Sequence, residues 1–143
     1  MRHAITQAGL AVTMAAGMLL VTAPASLAAN AKYKADMKGS KEVPATGSAA
    51  TGKANITYDD KSKKLSWVVT YSGLSGEPTA AHFHGPAAPG KNAGPVVDIS
   101  GDIKKGSADL TDDQAADLKS GKWYLNIHTE KFPDGEIRGQ VVK

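Results

Sequence analysis

The sequence predicts an all-β fold, a single antiparallel Greek-key β-sandwich or barrel with one short helix. Three observations lead there. Short β-branched and aromatic runs recur between Asn30 and Lys143, each closed by turn residues. Only one segment carries helix start and stop signals. About 115 of the 143 residues remain after an N-terminal leader, room for one domain with a modest core. Eight short strands and a brief helix in one unit, with no internal repeat, suit a sandwich or barrel.

The elements follow in order. Lys32–Met37 alternates polar and apolar residues, as a half-buried strand does, and Gly39–Thr51, with Pro44 and Gly47, reads as a loop. Lys53–Tyr58 and Lys64–Tyr71 flank the polar turn Asp59–Lys63, which signals a hairpin. Further strands are expected at Ala80–His84, Val96–Ile99, Ser107–Leu110, Lys122–His128 and Glu136–Val142. The helix starts at Thr111, where Thr111 and Gln114 have capping-box spacing, continues through Ala115, Ala116 and Leu118, and ends at Gly121.

The leader occupies residues 1–28. A basic start at Arg2 is followed by an apolar run from Ala8 to Ala23 and by small residues at Ser26 and Ala28, the layout of a signal peptide cleaved after Ala28 or Ala29. The run contains Thr13, Gly17 and Thr22 and falls short of the ~20 strongly apolar residues of a spanning anchor. A periplasmic or secreted domain over residues 29–143 is therefore expected, free of the membrane once cleaved. Losing Arg2 takes the formal charge from +3 to +2, too little to argue for nucleic-acid or membrane binding. The absence of cysteine excludes disulfides, thiol chemistry and thiolate metal centres. After cleavage Met37 is the sole methionine, which excludes a methionine-rich Cu(I) site.

All three histidines of the mature chain fall into two motifs. In His82-Phe83-His84 the imidazoles leave one face of a strand, their Cβ atoms roughly 6–7 Å apart, while Phe83 points the other way. In Trp123–His128, alternation puts Tyr124, Asn126 and His128 on a polar face and Trp123, Leu125 and Ile127 inside. Histidines on rigid strands suit Cu(II) or Zn(II) rather than magnesium or calcium, which prefer oxygen. An H-x-H pair alone is a weak pattern, and a single histidine is more often a surface or hydrogen-bonded residue.

Pro133-Asp134-Gly135 is a strong turn that can fold the last strand back, carrying Arg138 toward the histidines. There it would attract or orient a small anion; a surface ion pair with Glu136, Glu130 or Asp98 fits the spacing equally well. The Gly85–Pro95 loop can wall a site but lacks a phosphate-loop ending, and no serine has a hydrolase setting.

Four stretches in this order, Ala81–Ala87, Gly94–Val97, Trp123–Thr129 and Pro133–Gln140, resemble the CHRD domain, a family named from chordin and common as stand-alone exported bacterial proteins. Some bacterial members bind copper and act as superoxide dismutases, so the resemblance implies copper on His82, His84 and His128, with superoxide as substrate. A looser similarity to copper-zinc superoxide dismutases implies the same. Those enzymes also place an H-x-H on one strand of a Greek-key barrel, a third copper histidine far downstream, and then an anion-guiding arginine, the part that Arg138 would take. This chain has no bridging histidine, zinc-ligand set or disulfide, so the implied enzyme is copper-only. Two alternatives stay open: a copper or zinc module without turnover, and an extracellular interaction domain with structural histidines.

Overall fold

A computed structural model describes residues 30–143; the leader expected over residues 1–28 lies outside the described residues. The eight strands run β1 (Ala31–Lys38), β2 (Thr51–Asp59), β3 (Lys64–Ser72), β4 (Pro78–His84), β5 (Pro95–Asp98), β6 (Lys105–Asp109), β7 (Tyr124–Thr129) and β8 (Ile137–Gln140). Every expected strand is present, with no end shifted by more than two residues. The helix α1 (Asp112–Lys119) lies between β6 and β7, and its capping box forms: Thr111 Oγ1 accepts from Gln114 N while Gln114 Oε1 accepts from Thr111 N. Among the described residues no helix is long and apolar enough to cross a membrane.

The strands form one antiparallel sheet in the order β5-β4-β7-β8-β1-β2-β3-β6, curled into a nearly closed barrel. β1, β2 and β3 make a meander, and β3 pairs with β6 across the intervening β4–β5 hairpin, a Greek-key connection. Helix α1 reaches both sides of the remaining gap. Gln114 Nε2 donates to Val96 O on β5, and Lys119 and Lys63 form ion pairs with Asp60 and Asp112 that tie the helix to the β2–β3 turn.

Period-two alternation explains the core. β1 buries Tyr33, Ala35 and Met37 and exposes its lysines; β2 buries Ala54, Ile56 and Tyr58; β3 buries Leu65, Trp67 and Val69. Phe83 is fully buried, with Trp67 packed edge-on and Trp123 tilted against it, both with ring centroids at 5.8 Å. Gly139 on β8 lies directly over the Asp36 backbone, where any side chain would collide with the β1 main chain, and this close approach lets β8 join the meander.

β7 departs from the expected alternation. All six of its residues are buried, so the face with Tyr124, Asn126 and His128 is polar but does not look onto solvent. The physical reason is cover. The loop between β4 and β5, the stretch after β1 and the β7–β8 turn fold over that face: Ala93 N bonds the Tyr124 hydroxyl, and Pro133 O accepts from His128 Nδ1.

Candidate metal centre

β4 and β7 are neighbours, with Ala80, His82 and His84 opposite His128, Asn126 and Tyr124. His128 is thus diagonal to His82 on the same face. The three rings converge: one ligand atom of each lies within 4.8 Å of the others. His82 Nδ1 and His128 Nε2 are 3.1 Å apart, and the His82 ring stands nearly perpendicular to that of His84, centroids 5.5 Å apart.

The outer hydrogen bonds decide which nitrogens face inward. A backbone carbonyl only accepts, so His84 Nδ1–H donates to Ala93 O (2.9 Å) and His128 Nδ1–H to Pro133 O (2.8 Å). At His128 this bond fixes the tautomer and leaves the Nε2 lone pair on the shared side, the arrangement of metal-ligating imidazoles; at His84 it directs Nε2 to the shared side, where Asn126 Oδ1 competes with Ala93 O for the single ring proton. Burial pushes the pKa of His82 and His84 down, by desolvation first, with the other imidazoles adding to it; opposing pulls are Asp98 on His82, and Ala93 and Asn126 on His84. Both are therefore neutral at pH 7, the form that binds metal. Ligation at ~2.0–2.1 Å per bond puts neighbouring nitrogens about 3.3–3.5 Å apart. The donor set fits copper or zinc. His84 Nε2 now faces Asn126 Oδ1 at 2.9 Å, a contact that ligation would have to exchange.

Solvent reaches this cluster past His82, whose side chain is 21% exposed, whereas His84 and His128 are 8% and 9% exposed. Asp98, paired with His82 in the β4–β5 register, brings a carboxylate to 3.7 Å from His82 Nε2.

Arg138 does come into this region. It stands opposite Asn126, which stands opposite His82, so the three share one row across β8, β7 and β4. It is 2% exposed, and both Nη atoms are engaged: Nη1 donates to Asn92 Oδ1 (2.8 Å) and Nη2 to Lys91 O (2.5 Å), while the guanidinium carbon sits 3.5 Å over the Tyr124 ring. None of the candidate partners Glu136, Glu130 and Asp98 pairs with it among the described residues. Glu136 is instead buried under hydroxyls and a backbone N–H from three other segments.

Sequence reasoning missed Glu42 altogether. It sits just after β1, is 7% exposed, and meets the Asn126 amide against Gly135, a residue with φ of +125° whose missing side chain makes the room. Desolvation raises its pKa to about 7, against the lowering pull of Arg138 and of the Asn126 hydrogen bond. A buried acid in a loop has no local signature. For stability the sign is that of a raised acid: the contribution is full below the unfolded value near 4.5 and is lost as pH rises through 7. Glu42→Gln should therefore flatten the fall in stability between those pH values and leave the metal-free protein about 2 kcal/mol more stable than wild type at pH 8. Paired urea titrations from pH 5 to 8 check this; parallel curves would show that Glu42 does not titrate there.

No curated protein and no solved structure shows a significant match to the chain. A family model for the CHRD domain matches residues 33–141, from β1 through the end of β8 and including all three histidines and Arg138. With nearly every described residue inside that match, the chain belongs to the CHRD domain family.

Proposed function

We propose that this is an exported copper-binding protein in which His82 Nδ1, His84 Nε2 and His128 Nε2 hold one copper ion, with superoxide as its substrate. One observation carries the binding reading: three imidazoles converge within 4.8 Å, two of them turned inward by carbonyl bonds on Nδ1. Bound copper would supply one-electron chemistry, cycling between Cu(II) and Cu(I) as superoxide is oxidised and then reduced. The chain's own part is to present three ring nitrogens to one point and to leave approach from the His82 side. The periplasm or the extracellular space is the proposed location, on the strength of the leader-like residues 1–28.

The engagement of Arg138 by the loop favours a second reading, a copper- or zinc-holding module without turnover. Copper titration followed by pulse-radiolysis measurement of superoxide decay separates the two. The proposal expects one copper per chain and a rate well above equimolar free copper. A rate equal to free copper removes the dismutase and leaves the module; no stoichiometric metal removes both.

A further inference from the structure

Arg138 is too buried to greet an anion from solvent, and the contacts of its two bonded Nη atoms and of its face lead to one imidazole. The first route runs through the loop. Nη1 and Nη2 hold Asn92 and Lys91, the next residue is Ala93, and Ala93 O accepts from His84 Nδ1. Asn92 is pinned from its other side as well, donating to Val43 O. The second route runs through Tyr124. The guanidinium covers the Tyr124 ring, which stacks on His84 with an interplanar angle of 2° and centroids 4.7 Å apart. The Tyr124 hydroxyl closes the circuit by donating to the same Ala93 O.

We propose that Arg138 is a positioning residue for His84: it fixes the Lys91–Ala93 stretch and the Tyr124 ring, and these two hold the imidazole with Nε2 facing the centre. The proposal rests on reading His84 as a metal ligand. A guanidinium is suited to the task because its planar fork bonds two acceptors while its face stacks on an aromatic ring; an ammonium has no planar face with which to do both at once. His128 takes its orientation from Pro133 O in the β7–β8 turn, outside this circuit.

The difference between His84 and His128 provides the test. In metal-free mature protein labelled with 15N, long-range proton–nitrogen correlations report the tautomer of each ring. Wild type is expected to show Nδ1–H at both, Ala93 O holding the single His84 ring proton against Asn126 Oδ1. Arg138→Lys, which keeps the charge, should move the His84 ring nitrogens toward the average of the two tautomers, leave those of His128 in place, and weaken copper binding about 10- to 100-fold. Asn92→Ala and Tyr124→Phe, each removing one strand of the circuit, should shift His84 in the same direction and decide the matter if the Arg138 variant does not fold. Unchanged His84 nitrogens in these variants would overturn the proposal, as would equal shifts at His84 and His128, the mark of general loosening. Retained copper affinity with loss of only the salt dependence of superoxide decay would assign Arg138 to anion guidance instead. Absence of copper binding in wild type would refute the metal reading while leaving the tautomer result to judge the positioning.

Discussion

His128→Ala should lower copper affinity by more than about 100-fold, because it removes a direct ligand where loss of an outer-shell partner already costs 10- to 100-fold. The imidazole cannot be replaced locally. Asn126, one register pair away, faces His84, and Asp98 lies on the far side of His82. A ligand that binds only the folded state raises stability by about 4 kcal/mol at a thousand times its Kd. Copper should therefore raise the melting temperature of wild type and leave that of His128→Ala almost unmoved. In metal-free form the variant should be about 1–3 kcal/mol less stable than wild type, since the hydrogen bonds of His128 to Pro133 O and to His82 Nδ1 are both lost. A copper-induced shift equal to wild type would exclude His128 from the centre.

Glu136→Ala should destabilise the domain by about 3–5 kcal/mol, less than the sum of its hydrogen bonds at roughly 1.5–3 kcal/mol each to a charged group, because the freed hydroxyls can bond to water that enters the vacated space. The Glu136 carboxyl is fully buried and accepts from Ser48 Oγ, from Thr129 Oγ1, and from both N and Oγ of Ser75. It thereby ties the loop after β1, the loop after β3 and the end of β7 together, next to the turn that orients His128. Without it the Ser75 N–H has no acceptor. Burial by itself would raise this carboxyl's pKa, but the Ser48, Thr129 and Ser75 donors outweigh it and the net shift is downward. A lowered acid gives stability that is present above the unfolded value near 4.5 and is lost as pH falls through the folded one. Wild type should thus lose stability below about pH 4.5 more steeply than the variant. Thermal melts at pH 7 and pH 3.5 check both statements; a variant within 1 kcal/mol of wild type at pH 7 would show the network to be dispensable.

The barrel was legible because β1, β2 and β3 keep one wet face. In β1, lysines and aspartate alternate with Tyr33, Ala35 and Met37, and a one-residue slip would turn every side chain over. The helix was legible because Thr111 and Gln114 satisfy orphan N–H groups locally. The three histidines were legible as a set, since period-two geometry puts His82 and His84 on one face whatever the strand packs against.

What the sequence by itself determined, then, is everything that depends on neighbours along the chain: strand alternation, turns, the cap, and the one-sided presentation of the H-x-H pair. Tertiary structure decided the rest. Alternation around Asn126 foretold a polar face on β7 but not that loops would cover it, because burial of a face depends on segments far away in sequence. Hydrogen bonds to Ala93 O and Pro133 O, which choose the inward nitrogens, come from backbone that carries no side-chain signature. Glu42 and the Arg138–Tyr124–His84 stack are likewise products of strand order, which sets β8 and the residues after β1 beside β7 and so fixes the polar layer behind the histidines.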